Sequence, residues 1–307
     1  MSTANPRPRL GIALGGGSAR GWAHIGVLCA LAENGFEPEI VCGTSIGALV
    51  GGIYAAGKLA ELDAWVASLT RRNVFSLLDF TTAGGGALRG RKLMDLYRRH
   101  IGDVQIEKLP RRFAAVATDL RTGAEVWLQE GSLFDAIRAS ISLPGMFTPV
   151  YHEGRWLVDG GLVNPVPVSL CRALGAELVV AVDLHGSIVR AHPDEAAPHP
   201  AVVRGRRWLP GFRNRGRAGG THEAAVEPEP TPPSVASVIA TSIDIMQDRL
   251  SRSRLAGDPP DLLLTPRVRQ IAPLDFLGGQ TTIEEGYDIV RRMLPALKDL
   301  FDRERPA

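Results

Sequence analysis

The chain has 307 residues, of which 45% are hydrophobic, and this is enough to bury the core of a full α/β domain. Its formal net charge is only +2, from 35 basic and 33 acidic residues. This charge is too small to favour nucleic acid as a partner. No apolar run reaches the roughly 20 residues that a spanning helix needs. Any contact with a membrane is therefore expected to be peripheral.

Cysteine usage and the first residues of the sequence bear on the cellular compartment. Cys29, Cys42 and Cys171 lie far apart in apolar surroundings and form no C-x-x-C pair, which is typical of reduced structural cysteines. The segment MSTANPRPRL (1–10) contains no apolar stretch of the kind found in signal peptides. We therefore expect a cytoplasmic protein, and a peripheral position at the inner membrane is compatible with the sequence.

Strand-like and helical patterns alternate from the start of the chain. A strand predicted over 9–14 leads through glycines into a helix over 21–35, and a second strand over 39–42 leads into a helix over 46–57. This alternation is typical of a largely parallel sheet covered by helices. The sequence therefore predicts an α/β fold of three layers, α/β/α, with a mostly parallel central sheet.

The alternation continues through the middle of the chain. Helices are predicted over 59–69, 90–102 and 132–143, and strands over 111–120, 124–131, 155–161 and 176–184. Ser132 is the predicted N-cap of the third of these helices. Asp119, Asp159 and Asp183 each fall near the end of a predicted strand. Because open α/β sheets bind ligands beyond their strand ends, we expect the functional site there.

The rest of the chain consists of two segments that differ in composition. Residues 186–233 are rich in proline, glycine and arginine and lack the apolar periodicity of a packed element. They are predicted to form a solvated surface insertion, and a contact of its arginines and Trp208 with a partner or a lipid head group is the alternative. Residues 234–307 are predicted to be mainly helical. We expect a single domain over 1–307 with a motif-bearing core over about 9–185.

The segment CGTSIGAL (42–49) places Ser45 in a G-x-S-x-G pattern between a predicted strand and a predicted helix. A serine hydroxyl is a weak nucleophile, so it must be held exposed, near a base and near donors for the oxyanion. A sharp strand-to-helix turn needs small residues two positions before and after the serine, and Gly43 and Gly47 meet this need. The pattern predicts a nucleophile at Ser45; a purely structural turn is the alternative.

A second glycine-rich turn, LGGGSARG (14–21), also joins a predicted strand to a helix. It does not fit the dinucleotide-binding motif, because Arg20 occupies the position of the third glycine. It does not fit the P-loop either, because Trp22 and Ala23 stand where Lys and Ser or Thr are required. Its unobstructed backbone N–H groups, with Arg20 nearby, suit either an oxyanion hole or a phosphate site.

No histidine has a sequence context that favours it as the base for Ser45. His24 lies near a candidate site, but within the first helix, where a structural role is favoured. The others lie in helix ends, turns or loops: His100, His152, His185, His192, His199 and His222. A buried carboxylate can take the proton instead, because burial raises its pKa. Among the strand-end aspartates Asp159 is favoured, because Gly160 and Gly161 allow a tight turn that leaves its carboxylate approachable.

Three motifs in order, GGGSARG (15–21), GTSIG (43–47) and DGG (159–161), resemble those of the patatin-like phospholipase family. The resemblance is to its bacterial subgroup, which is also similar to the catalytic domain of neuropathy target esterase. The flanking segments LGGGSARGWAHIGVL, ASISLPGMFTPV and LVDGGLVNPVPV resemble the same family, so the resemblance covers about 9–185. It implies a patatin-like fold and a Ser-Asp dyad hydrolase that acts on lipid acyl esters without a metal.

The resemblance also implies roles for individual residues. By position, Ser45 is the nucleophile and Asp159 the general base. The implied oxyanion site consists of the backbone N–H groups of Gly15, Gly16 and Gly17, with Arg20 as a supporting cation. Leu14 stands where some patatins have an aspartate, which weakens inferences about substrate from the plant enzymes.

The expected activity is hydrolysis of carboxylic esters of phospholipids or lysophospholipids, of the phospholipase A or lysophospholipase type, through an acyl-enzyme. One alternative is acyl transfer to an acceptor other than water, although Thr44 and Ala48 differ from the flanking residues of malonyl-type transacylases. The other is a lipid-binding regulatory protein without turnover. The sequence has no H-E-x-x-H, no paired ligands and no calcium loop, so we expect no metal or other cofactor.

Overall fold

The computed structural model describes residues 8–76, 79, 81, 85–102, 104–186, 235–272 and 275–303. The insertion predicted at 186–233 lies outside the described residues, apart from Gly186, and so do Trp208, His192, His199 and His222. Within the described ranges no helix is both long enough and apolar enough to cross a bilayer.

A central mixed sheet organises the chain. The strands are β1 (Leu10–Leu14), β2 (Ile40–Thr44), β3 (Gly86–Leu88), β4 (Arg112–Asp119), β5 (Glu125–Leu128), β6 (Gly145–Phe147), β7 (Val150–His152), β8 (Arg155–Asp159), β9 (Leu178–Val182) and β10 (Leu262–Leu264). The central sheet has the order β10-β9-β1-β2-β4-β8-β7, with β5 also paired to β4. Its first five strands are parallel, whereas β5 and β8 run antiparallel to β4, and β7 antiparallel to β8. Strands β3 and β6 form a separate parallel pair.

Helices cover both faces of the central sheet. They are α1 (Ala23–Glu33), α2 (Ile46–Ala55), α3 (Leu59–Ala67), α4 (Arg71–Ser76), α5 (Arg91–Ile101), α6 (Leu133–Ser140), α7 (Val168–Ala173) and two longer helices, Val235–Gly257 and Gly279–Arg303. Successive strand residues point to opposite faces, so Ile12 packs in the core with α1 and α2, whereas Ala13 packs in the core with α7. The predicted three-layer α/β/α fold is confirmed.

The strand register places the ends of β1, β2 and β8 next to one another in the central sheet. Leu14 at the end of β1 pairs with Gly43 of β2, and Thr44 at the end of β2 pairs with Val116 of β4. On the other side of β4, Ala117 pairs with Asp159 at the end of the antiparallel strand β8. The turns after β1, β2 and β8 therefore meet, although β8 runs in the opposite direction to its neighbour.

Candidate active site

Ser45 occupies the turn between β2 and α2 in a strained backbone conformation, with φ of 56° and ψ of −123°. Non-glycine residues seldom adopt a positive φ, and such strain persists only where the surroundings enforce it. The N–H group of Ser45 donates to the hydroxyl of Ser140 at 2.9 Å, and that hydroxyl donates to the carbonyl of Val116 at 2.6 Å. These two hydrogen bonds hold the turn against strand β4.

Backbone packing explains the glycines on either side of Ser45. A methyl group on Gly43 would overlap the carbonyl of Gly47 and the backbone of Ala48. A methyl group on Gly47 would overlap the carbonyl of Leu14 at the end of β1. Strand and helix approach so closely at this turn that neither position has room for a side chain.

The hydroxyl of Ser45 donates a hydrogen bond to Oδ2 of Asp159 at 2.7 Å. The other carboxylate oxygen, Oδ1, accepts a hydrogen bond from the N–H group of Gly161 at 2.7 Å. Asp159 is completely buried, and burial raises its pKa from 3.8 to about 6, while the two hydrogen bonds act in the opposite direction. The arrangement is a serine hydroxyl held against a carboxylate with increased basicity.

Neighbouring groups fix the backbone of Asp159. The hydroxyl of Thr118 donates to its carbonyl at 2.8 Å, and its N–H group donates to the carbonyl of Ser142 at 3.0 Å. A methyl group on Gly160 would overlap the carbonyl of Val116, so the chain can turn here only with glycine. The carboxylate is therefore positioned by strand β4 and by the segment after α6.

The glycine loop after β1 lies beside Ser45. The N–H groups of Gly15 and Gly16 donate to the carbonyls of Val182 (3.0 Å) and Pro165 (2.9 Å). Within the described ranges the N–H group of Gly17 has no such acceptor. A methyl group on Gly16 would lie 3.6 Å from Cβ of Ser45, so the loop is close to this serine. Two of the three expected oxyanion donors thus hold the loop in place, and the Gly17 N–H group is not bonded to any described residue.

Arg20, expected as a supporting cation, is buried and paired with an acidic residue. Its guanidinium lies 3.1 Å from the carboxylate of Asp244, in the helix Val235–Gly257, and also donates to the carbonyl of Ile271 at 3.0 Å. Its charge is therefore balanced by Asp244. The observed contacts give Arg20 a positioning role, because they tie the glycine loop to a distant helix.

The other residues considered as a base for Ser45 make structural contacts instead. His24 is buried with Nε2 at 2.8 Å from the carbonyl of Gly15, and burial lowers its pKa to about 4. Asp119 accepts the N–H groups of Arg121 and Thr122, and so stabilises the turn after β4. Asp183 accepts the N–H group of His185. None of the three is hydrogen-bonded to Ser45, and in the part of the chain described here no cluster of His, Cys, Asp or Glu could hold a metal ion.

Two adjoining apolar cavities lie beside α2, and the smaller of them contacts Ser45. The smaller, of about 60 Å³, is lined by Ser45 and Ser18, and the larger has a volume of about 360 Å³. The two share six lining residues: Ile46, Leu49, Leu93, Met146, Phe147 and Phe276. Ser45 therefore borders a space whose walls consist almost entirely of hydrocarbon and aromatic groups.

Some residues at this site were not singled out from the sequence. Ser140 lies in the segment ASISLPGMFTPV, which resembles the family, so that segment could have indicated it. Gln247 had no such signal, because it lies in a distant helix. It is only 5% exposed. A methyl group on Gly161 would overlap this amide, so Gln247 packs directly beside the turn that follows Asp159.

Comparison with known proteins identifies the family of this chain. The family model for patatin-like phospholipase matches residues 12–172. An NTE family protein of Mycobacterium tuberculosis is 36% identical over 95% of this chain and 92% of its own length. The lysophospholipase nte1 of Emericella nidulans is 29% identical over 94% of this chain but only 18% of its own length. The chain therefore belongs to the patatin-like phospholipase family, and the resemblance predicted from the three motifs is confirmed.

A search of solved structures gives a more distant match. The crystal structure of VipD from Legionella pneumophila has a TM-score of 0.43 and 17% sequence identity, and the match covers 57% of this chain and 50% of VipD. The family match itself supports a lipid hydrolase.

Proposed function

We propose that this protein hydrolyses carboxylic esters of phospholipids or lysophospholipids, with Ser45 as nucleophile and Asp159 as general base. The observation that carries the proposal is the 2.7 Å hydrogen bond from the Ser45 hydroxyl to Asp159 Oδ2, at a strained strand-to-helix turn. A nucleophile, a base within hydrogen-bond reach and a strained turn that presents the nucleophile are the features expected of a serine hydrolase.

The first step is proton transfer from Ser45 to Asp159. With a pKa of about 6, most of the Asp159 carboxyl is ionised at neutral pH and can accept the proton. The same group is a stronger base than an exposed aspartate, because burial favours its neutral form. The proton bound to Asp159 is then available for the leaving group.

The second step is attack of the Ser45 oxygen on the ester carbonyl carbon, which moves the carbonyl π electrons onto oxygen. The N–H group of Gly17 and the N-terminus of α2 provide positive potential for this oxyanion. Collapse expels the alcohol, which takes the proton from Asp159, and leaves an acyl-enzyme on Ser45. Water then attacks with Asp159 as base, and the fatty acid is released.

The apolar cavities support an acyl chain as the group bound beside Ser45. Each methylene that leaves water for such a cavity gains about 0.8 kcal/mol, so a lipid chain binds there more strongly than a short acid. The larger cavity, of about 360 Å³, is within the range of ordinary small-molecule sites. A fatty acyl ester is therefore the substrate class that we infer.

A fluorophosphonate probe tests the nucleophile, because it reacts covalently with activated serines. We expect labelling of the wild type and none of Ser45→Ala. Ser18→Ala is the matched control, since Ser18 lines the same small cavity and its loss should leave labelling intact. Labelling of Ser45→Ala at the wild-type rate would overturn the assignment.

A substrate panel tests the reaction. The wild type should release fatty acid from p-nitrophenyl esters and lysophospholipids in water, and Ser45→Ala should not. Adding alcohol acceptors distinguishes hydrolysis from transfer: free acid as the main product supports hydrolysis, whereas acylated acceptor as the main product contradicts it. Binding of lipid without any ester cleavage across the panel would contradict an enzymatic role.

A further inference from the structure

A groove of about 700 Å³ lies on the surface between the small sheet β3–β6 and the antiparallel strands β7 and β8. Its walls combine three arginines, Arg89, Arg91 and Arg138, with the apolar side chains of Leu120 and Trp156. We refer to these five residues as the basic groove. It is separate from the Ser45–Asp159 dyad, and the proposed reaction does not use it.

The basic groove carries more positive than negative charge. Arg138 is buried and donates to the carbonyls of Arg89 and Thr148 and to the hydroxyl of Ser142, all of which are uncharged. Arg89 and Arg91 are exposed, and neither forms an ion pair with another described residue. The nearby carboxylate of Asp79, which accepts hydrogen bonds from the backbone N–H groups of Gly90 and Arg91, offsets part of the arginine charge. The groove therefore presents a positive potential.

Large apolar side chains border the same groove. Trp156 is 54% exposed and Leu120 55% exposed, and the two are joined by a backbone hydrogen bond of 2.8 Å. Tyr151 is 62% exposed, and its ring centroid lies 5.1 Å from that of Trp156. Isolated exposed apolar residues are common, but a contiguous group marks an interaction surface. Trp and Tyr rings, in particular, favour the boundary between water and lipid.

The small sheet β3–β6 separates the basic groove from the larger apolar cavity. Leu88 and Phe147, paired across β3 and β6, line the larger apolar cavity, and the next residues, Arg89 and Thr148, line the groove. The guanidinium of Arg138 lies 5.4 Å from the centre of the Phe147 ring. A lipid surface on the groove would therefore lie on the other side of the small sheet from the acyl site.

We propose that the basic groove and the Tyr151–Trp156 pair dock this protein onto an anionic lipid bilayer. The exposed Arg89 and Arg91 bind head-group phosphates, the buried Arg138 adds its positive charge behind them, and the two rings lie at the interface. A second copy of the chain fits less well, because a two-fold interface would bring the same arginines of both copies together. Docking does not require ester hydrolysis, so a vesicle-binding measurement tests it independently of the proposed function.

Vesicle co-sedimentation tests the proposal, with Ser45→Ala used throughout so that lipid is not consumed. We expect tighter binding to vesicles of phosphatidylcholine with phosphatidylserine than to phosphatidylcholine alone, and weaker binding as salt increases. The variant Arg89→Gln/Arg91→Gln should lose about fivefold in affinity per arginine, or roughly 25-fold in all. Trp156→Ala should also weaken binding.

Matched controls distinguish the effect of the groove residues on vesicle binding from a general effect of exposed charge or exposed hydrophobic area. Arg291→Gln/Arg303→Gln removes two exposed arginines elsewhere, and Trp127→Ala removes a tryptophan that is 43% exposed. Both controls should bind vesicles like the parent. In the background with Ser45 intact, the groove variants should hydrolyse a soluble short-chain ester at the wild-type rate, which shows that they remain folded.

Several outcomes would overturn the proposal. One is equal binding to neutral and anionic vesicles; another is equal loss in groove and control variants. If inorganic phosphate releases the protein far better than sodium chloride of equal ionic strength, the groove is a site for a single anion. If Trp156→Ala abolishes a dimer in size-exclusion chromatography and leaves vesicle binding unchanged, the groove is an interface between copies.

Discussion

Ser45 and Asp159 are joined by a hydrogen bond of 2.7 Å between the hydroxyl and a fully buried carboxylate. In the described part of the chain no histidine side chain is hydrogen-bonded to Ser45. The pKa of Asp159, raised from 3.8 to about 6 by burial, is close to the value that suits a base working near neutral pH. In the proposed reaction this pair determines how the rate should respond to pH.

The first prediction concerns that pH dependence. Protonated Asp159 cannot accept the Ser45 proton, so kcat/KM for a p-nitrophenyl ester should rise with pH through a midpoint near 6 and then level off. Asp159→Asn should lower kcat by about 10² to 10⁴. Initial rates from about pH 4.5 to 8 measure both. A wild-type midpoint well above pH 7 would indicate a different base.

The second prediction concerns stability. The pKa of Asp159 is higher in the folded chain (about 6) than the ordinary value of 3.8, so ionisation weakens the fold as pH rises between these values. Asp159→Asn removes this cost and should raise the free energy of unfolding by up to about 3 kcal/mol at pH 8. Near pH 4 the difference should vanish. Urea unfolding at both pH values measures it, and a variant less stable than the wild type at pH 8 would contradict the prediction.

Local patterns were sufficient to predict the strands and helices that carry the site. The predicted strands at 9–14 and 39–42 correspond to β1 and β2, and Ser132 caps α6 as expected, with a 3.3 Å hydrogen bond from the N–H group of Asp135. These features depend on residues close in sequence. The small sheet β3–β6 was not predicted, because its strands are three residues long and gain their stability from each other.

The site itself depends on contacts over long sequence separations. The antiparallel direction of β8 has no local signal, yet it brings Asp159 level with Ser45. The engagement of Gly15 and Gly16 depends on Val182 and Pro165, far along the chain, and the pairing of Arg20 depends on Asp244. Sequence motifs therefore indicate which residues gather at a site, whereas tertiary contacts decide which of their N–H groups remain free.

The third prediction tests the close approach at the turn. In Gly47→Ala the added methyl overlaps the carbonyl of Leu14, so α2 must move away from β1. We expect a loss of roughly 2 to 4 kcal/mol in the free energy of unfolding and loss of ester hydrolysis. Gly257→Ala is the control, because a methyl group there meets no atom within 4 Å. Equal stability of the two variants, measured by urea unfolding, would contradict the packing argument.

The fourth prediction separates the role of Ser140 from its contribution to stability. Ser140→Ala leaves the Ser45 N–H group without its acceptor and the Val116 carbonyl without its donor, at a cost of about 1 to 3 kcal/mol. The turn should loosen, and fluorophosphonate should react at least several-fold more slowly. Ser132→Ala removes the N-cap of α6 and should lower the free energy of unfolding by about 1 kcal/mol. This variant should keep the wild-type labelling rate. Equal labelling rates in both variants would show that Ser140 is only structural.

The fifth prediction tests the acyl site through chain length. Leu93 lines both apolar cavities, so Leu93→Trp should block the passage from Ser45 to the larger space. In the wild type, kcat/KM for p-nitrophenyl esters should increase with acyl length, because each buried methylene contributes up to about 0.8 kcal/mol. The variant should lose at least about tenfold on the dodecanoate and little on the acetate, which does not extend past Leu93. Leu277→Trp, at a residue that is 40% exposed and outside both cavities, is the control. An equal loss on both esters in Leu93→Trp would mean that the chain binds elsewhere.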